Sequence, residues 1–181
     1  NYRGSWNGLT IISIAIGQGE VTATPLQIAN LGATIANRGY FITPHVVKEV
    51  EDESLDSLYT TKRYTKVRKE HYETVVQGMR AAVTGGTCRA ANLPGLDVCG
   101  KTGTAQNRGK DHSAFMGFAP MNDPKIAVAV YVENGGWGAT YGVPIGALIM
   151  EKYLTGTLSP QSEMKASDIQ MRRIDYGIHE R

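Results

Sequence analysis

Cysteine, histidine and uncompensated charge are all scarce in this sequence of 181 residues. Formal net charge is only +2, and no Lys/Arg block or aromatic-interleaved basic stripe occurs, so nothing argues for nucleic acid or an acidic membrane surface as a partner. His45, His71, His112 and His179 fall at no metal-ligand spacing, and Cys88 and Cys99 are not a Cys-x-x-Cys pair, so no metal is expected. Nor does any feature call for another cofactor. No apolar run approaches the roughly 20 residues that a membrane-spanning helix needs. No signal peptide opens the chain, which starts Asn1-Tyr2-Arg3-Gly4-Ser5 without Met. Such a start is expected of an excised piece, so the missing targeting signal says nothing of location. There is no internal repeat.

What remains is ordinary for a globular protein: 41% hydrophobic and 20% charged residues, in a length that suits one domain, or most of one, plus a tail. Residues 9–16 form a short apolar segment, and Gly17-Gln18-Gly19 turns the chain. Gln18 and Glu20 are expected to serve that turn. Thr24-Pro25-Leu26-Gln27 is a helix start, with Thr24 as N-cap, Pro25 at the first helical position and Gln27 closing a capping box. Leu26, Ile28, Ala29, Leu31, Ile35 and Ala36 predict a helix buried on most sides, ended by Asn37-Arg38-Gly39. Residues 40–50 read as extended, with Pro44 marking an edge or a bend. Residues 51–69 read as a polar surface excursion.

A second helix is predicted from Glu70, with Tyr72, Val75, Val76, Met79, Ala82 and Val83 on one face and Gly85-Gly86 as its stop. Three neighbouring antiparallel strands follow. One carries Lys101, one runs from Ala114 to Ala119, and one runs from Ile126 to Val132. The last is an unbroken β-branched and Ala run, read as fully buried. Met121 to Lys125 form a turn, and Gly135-Gly136-Trp137-Gly138 is a loose connection. Pro144 opens a last helix through Ile145, Leu148, Ile149 and Tyr153. The expected fold class is α+β, with helices on one face of an antiparallel sheet. Residues 1–154 form the domain, and residues 155–181 a polar, patternless and mobile tail.

Cys88 and Cys99 flank Pro94-Gly95, which can turn the chain back. Either they form a disulfide, worth about 3 kcal/mol on the chain-entropy model, or they are two small buried thiols. The redox compartment decides between the two.

The densest chemistry lies in Lys101-Thr102-Gly103-Thr104-Ala105. An edge strand carrying a cation, two hydroxyls and a residue without a side chain suits a site that holds a carboxylate while a substrate backbone lies alongside. Strand alternation puts Lys101 and Thr102 on opposite faces, so both can serve one cleft only if the strand is the cleft's edge.

Three blocks in this order resemble the transpeptidase domain of class B penicillin-binding proteins, nearest the cell-elongation type. They are Ile16-Gly17-Gln18-Gly19-Glu20-Val21-Thr22-Ala23-Thr24-Pro25-Leu26-Gln27, then Gly100-Lys101-Thr102-Gly103-Thr104-Ala105-Gln106, then His112 to Pro120 leading into Val128 to Gly136. A lone Lys-Thr-Gly is a weak signal; the three blocks with these spacings are a strong one. The resemblance implies the penicillin-binding protein and serine β-lactamase-like fold and serine acyl transfer. A serine attacks the carbonyl between two D-alanines of a peptidoglycan stem peptide, and the acyl group passes to an amine of a neighbouring stem; β-lactams acylate the same serine. Lys101 then supplies positive potential beside the nucleophile and the substrate carboxylate. Thr102 and Thr104 hydrogen-bond that carboxylate. Gly103 lets the substrate backbone approach, and the Thr104 N–H is half of an oxyanion hole. The resemblance also implies a protein of the bacterial inner membrane with this domain in the periplasm. Its implied partners are stem peptides, β-lactams, a lipid-II-polymerising glycosyltransferase and the elongation machinery.

The other two motifs of these enzymes are not found upstream of Lys101. Ser162-Glu163-Met164-Lys165 fits Ser-x-x-K but follows Lys101, and Ser5-Trp6-Asn7 fits Ser-x-Asn but directly precedes the first block. Both are read as chance matches. The chain is therefore expected to carry one wall of the cleft without the nucleophile, to be inactive alone, and to be capable of self-association. The rival readings are a serine D,D-carboxypeptidase or β-lactamase, and a non-catalytic β-lactam-sensing domain. His112 is a candidate to face the cleft, against an ordinary hydrogen-bonded role. Asp97 and Asp111 are expected at solvated loop ends. Trp137 belongs either at the rim or in the core.

Overall fold

The computed structural model describes residues 6–19, 21–174 and 176. Ser5, Glu20 and His179 lie outside the described residues. The chain runs through α1 (Gly8–Ala15), α2 (Pro25–Ala36), β1 (Tyr40–Phe41), α3 (Ser57–Thr60), β2 (Arg63–Tyr64) and α4 (Lys69–Thr84). A 3-10 turn (Arg89–Ala91) then leads to β3 (Cys99–Ala105), β4 (His112–Ala119), β5 (Ile126–Val132), α5 (Gly142–Thr155) and α6 (Pro160–Met171). This is the α+β class, and the three long strands form one antiparallel sheet in the order β3-β4-β5.

The sheet carries helices on both faces, not one. Along β4, Phe115 and Ala119 point into a core with Val128, Val143, Ala147 and Met150, beneath α5. Met116 and Phe118 point the other way, into a core with Cys99, Ala36, Val76 and Met79 from α2 and α4. The period of two along an apolar strand requires this double covering. Phe115 is the keystone of the first core. A Cβ added at Gly100 or Gly117 would lie 2.5 or 2.6 Å from its ring, and one at Gly146 would collide with it too. Three glycines on β3, β4 and α5 thus form the slot that admits one aromatic ring.

α2 begins as its sequence dictates: Thr24 accepts from Gln27 N at 3.3 Å, and the Gln27 side chain accepts from Thr24 N at 2.8 Å. It is not buried on most sides, because only the stripe through Gly32 and Ala36 meets the sheet; Leu26 and Leu31 stay exposed. The apolar segment before it is also a helix, α1, capped by Asn7, which accepts from Thr10 N at 3.1 Å. Asn7 in the chance Ser-x-Asn match is therefore a helix cap. α4 follows its apolar stripe, with Tyr72, Val76, Met79 and Val83 buried and Gly85 as C-cap. Val75 falls off that stripe and is exposed.

Two further expectations, on β5 and on the C-terminal stretch, are corrected. Among the described residues β5 pairs with β4 alone, and within it only Val128 is buried while Tyr131 is exposed. Of the two readings open for Cys88 and Cys99, the structure has the buried free thiols, each packed into a different one of the two cores. The stretch read as a patternless tail contains α6. Ser159 caps it, accepting from Ser162 N at 3.4 Å, with Pro160 in its first turn. Glu151 of α5 accepts the Ser159 N–H at 3.1 Å, and Arg172 donates to Thr140 O at 3.1 Å. α6 docks by these polar ties with only Ser162 buried, which is why no apolar period announced it.

Candidate active site

The cleft forms where the open edge of β3 meets the loop before α2. A cavity of about 510 Å³ is lined by Gly17, Gln18, Val21, Pro25 and Ile28 on one side and by Lys101 through Ala105 on the other. Ala114, Met116 and Tyr131 form its floor. The edge condition for Lys101 and Thr102 is met: among the described residues β3 pairs only with β4, and both residues line the cavity.

Pairing fixes what the edge offers. In an antiparallel ladder a residue turns its N–H and C=O to the same side, and successive residues alternate. The Thr104 carbonyl accepts from Gln18 Nε2 at 2.9 Å, across 86 residues of sequence, so it faces the open side. The Thr104 N–H then faces that side too. The Thr102 carbonyl has the same parity and accepts from Lys101 Nζ at 2.7 Å. The edge thus presents an ammonium, two carbonyls and an N–H to the cavity. Gly103 keeps the strand close to β4, since a Cβ there would sit 3.3 Å from Ala114 Cβ.

The two threonine hydroxyls lie on the opposite face of β3 from Lys101, each with a partner behind it. Thr104 Oγ1 accepts from Gly138 N at 3.3 Å. Thr102 Oγ1 lies 2.9 Å from Thr87 Oγ1, in the turn between α4 and the 3-10 turn. The loop that brings Gly138 here is held by Ser113. Its fully buried hydroxyl donates to Trp137 O at 2.8 Å and accepts from Gly142 N at 3.0 Å. The Trp137 side chain is exposed.

His112 does not line the cavity. Its Nδ1 accepts from Asn134 N at 3.0 Å and its ring rests against Tyr131 at 5.3 Å, so its role is to hold the turn after β5. Asp97 pairs with Arg80 at 3.2 Å, and Asp111 accepts from Asn107 N at 3.4 Å. Ser162 and Lys165 are on α6 and line no part of the cavity. Burial pushes the Cys88 thiol up, and pushes Cys99 up to about 11, so both are neutral in ordinary conditions and inert as nucleophiles.

Sequence reasoning missed Thr87, Ser113, Gly138 and the long-range role of Gln18. Each acts through a contact between segments far apart in the chain, for which no local pattern exists.

The model of the penicillin binding protein transpeptidase domain matches residues 2–153. The peptidoglycan D,D-transpeptidase MrdA of Haemophilus influenzae is 32% identical to the chain, over 95% of the chain and 30% of the relative. Among solved structures, Pseudomonas aeruginosa PBP2 in complex with WCK 5153 superposes with a TM-score of 0.70 and 36% identity, over 88% of this chain and 36% of that one. The imipenem acyl-enzyme complex of penicillin-binding protein A from Mycobacterium tuberculosis gives 0.67 and 32%, over 79% of this chain and 33% of that one. The chain spans about a third of the length of the curated relatives it matches.

Proposed function

Because the chain belongs to the family of penicillin-binding protein transpeptidase domains, we propose that it is the Lys-Thr-Gly-bearing part of a peptidoglycan D,D-transpeptidase and forms one wall of its acyl-transfer cleft. The observation that carries this reading is the convergence of Lys101, Thr102 and Thr104 on an open sheet edge beside a cavity. The nucleophilic serine comes from outside these residues. It attacks the carbonyl of the penultimate D-alanine, the C–N bond breaks, and terminal D-alanine leaves with a proton on its amine. An amine of a second stem then takes the acyl group and returns the serine. The Lys101 ammonium favours the ionised nucleophile and the substrate carboxylate. The Thr104 N–H donates to the developing oxyanion, and the Thr102 and Thr104 hydroxyls hold the carboxylate. A β-lactam enters by the same steps, because its strained amide and carboxylate meet the same groups. The intact protein then works in the periplasm, anchored in the inner membrane and alongside a lipid-II-polymerising glycosyltransferase. The family relationship supports that placement.

A D,D-carboxypeptidase would use the same wall with water as the acyl acceptor. The relatives are named as transpeptidases, which favours the amine acceptor. Fluorescent penicillin tests the reading. The full-length protein is expected to be labelled covalently, and Lys101→Met to slow labelling on the order of 10²–10³-fold, the range for removing one electrostatic stabiliser. The isolated chain is expected to stay unlabelled. Labelling of the isolated chain, or an undiminished rate in Lys101→Met, overturns the assignment.

A further inference from the structure

We propose that Thr87 is a positioning residue for carboxylate recognition, its hydroxyl donating to Thr102 Oγ1 and so turning the Thr102 proton toward the substrate. This rests on the reading of Thr102 and Thr104 as the pair that holds the carboxylate.

A threonine hydroxyl has one proton and two lone pairs. To bind an anion it must spend its proton on that anion, and any second partner must therefore be a donor. For Thr104 the fold meets this condition outright, since the partner is the Gly138 N–H, which can only donate. For Thr102 the partner is another hydroxyl, 2.9 Å away, and either oxygen can supply the proton. Without an anion the pair has two equivalent orders. A carboxylate selects one of them: Thr87 O–H to Thr102 Oγ1, then Thr102 O–H to the carboxylate oxygen. Each bond polarises the next, as in any hydrogen-bonded chain ending on a charge. Both carboxylate-binding hydroxyls are thus backed by donors, one from the loop before α5 and one from the turn after α4.

Thr87 is held in place to do this. Gly86 before it packs so closely on α4 that a Cβ there would lie 2.8 Å from the Ala82 Cα. Cys88 after it is fully buried, and its N–H donates to Ala82 O at 2.9 Å. Pinned on both sides, Thr87 keeps an exposed side chain whose hydroxyl lies against Thr102 Oγ1 and beside the neutral Cys88 thiol, a weak partner that leaves Thr102 as the hydroxyl it serves. Its spacing from Thr102 carries no local signal, so the sequence does not reveal it.

The test compares acylation of the full-length protein by benzylpenicillin and by its methyl ester, which lacks the carboxylate. Thr87→Val keeps the shape and deletes the hydroxyl; Thr87→Ser keeps the hydroxyl. Thr87→Val is expected to slow acylation by benzylpenicillin about three- to tenfold, the worth of one hydrogen bond, and acylation by the ester less than twofold. Thr87→Ser is expected to restore the penicillin rate. In a Thr102→Val background the effect of Thr87→Val is expected to vanish, as for two residues in one chain. An equal loss with both ligands makes Thr87 merely structural and overturns the proposal, as does no loss with either. If Thr87→Val fails to fold, the Thr87→Ser rate and the Thr87→Ala pair decide on the same criteria. If Thr102→Val itself leaves the penicillin-to-ester ratio unchanged, the carboxylate reading of Thr102 fails first, and it fails visibly apart from Thr87.

Discussion

Replacing Gly138 by alanine is the sharpest perturbation of the site that spares every reacting group. A Cβ at Gly138 would lie 2.6 Å from the Ala114 carbonyl oxygen, 2.6 Å from the Gly103 carbonyl oxygen and 3.0 Å from Thr102 Cβ. The first two are backbone atoms of β4 and β3, which are paired to each other and cannot give way separately. The loop must therefore retreat, by about 0.5–1 Å to reach ordinary contact. The Gly138 N–H to Thr104 Oγ1 distance is already 3.3 Å, so that retreat breaks the bond. It also strains the Ser113 hydroxyl, which ties Trp137 O to Gly142 N. The expected cost is about 1–3 kcal/mol of stability, as for other overpacking changes. Thr104 also loses the donor that frees its proton for the carboxylate, so penicillin acylation of the full-length protein is expected to fall about tenfold. Gly78→Ala is the control. Its Cβ meets nothing within 4 Å on α4, and it is expected to stabilise by roughly 0.5–1 kcal/mol. Thermal melting and stopped-flow acylation on both variants decide the matter. A Gly138→Ala protein that melts and acylates like the parent would refute the close-approach argument.

Phe115→Ala empties the slot made by Gly100, Gly117 and Gly146 and is expected to cost about 3–5 kcal/mol by denaturant unfolding; a loss below 1 kcal/mol would show the ring is no keystone. Cys99 titrates at about 11 when folded, above its ordinary 9.0, so its contribution is intact below pH 9 and lost between pH 9 and 11, by about 3 kcal/mol. Cys99→Ala should therefore show a shallower loss of stability over that range than the parent. Glu151 is pushed up by burial but held lower overall by the Ser162 and Ser159 side chains, the Ser159 N–H and Lys165. Its stabilisation is present above the ordinary carboxylate pKa and lost as pH falls through the lowered value. Hydrogen exchange in α6 should accordingly rise in acid in the parent, and be already raised at neutral pH in Glu151→Gln.

Local signals carried the fold as far as local physics reaches. The Thr24-Pro25-Gln27 box, the stripe from Tyr72 to Val83 and the strand runs each name an element, because cap chemistry and side-chain period act within a few residues. They could not say which faces meet. The unbroken apolar run of β5 reads the same whether the strand is central or at an edge, and among the described residues its one neighbour is β4. Two cysteines around a turn leave bridge and buried thiols equally open until the alternation at β3 sends Cys99 into one core while Cys88 enters the other. α6 was missed for a different reason: its start carried a legible cap in Ser159-Pro160, but its docking is polar, so the expected apolar period is absent.

The site divides along the same line, and the division has a physical cause. Lys101, Thr102, Gly103 and Thr104 are contiguous because a single strand edge must present cation, hydroxyls and N–H at fixed spacing, so sequence displays them together. What gives those groups direction comes from elsewhere. Gln18 takes the Thr104 carbonyl, Gly138 backs the Thr104 hydroxyl and Thr87 backs that of Thr102. A hydroxyl binds an anion only when its proton is free, and that condition is set by the group behind it. On the proposed reading the four-residue motif supplies the atoms of recognition, while their polarity is decided by the loop before α2, the turn after α4 and the loop before α5. Substitutions in those three segments should alter carboxylate affinity without touching the motif, which separates an intact Lys-Thr-Gly strand from a competent one.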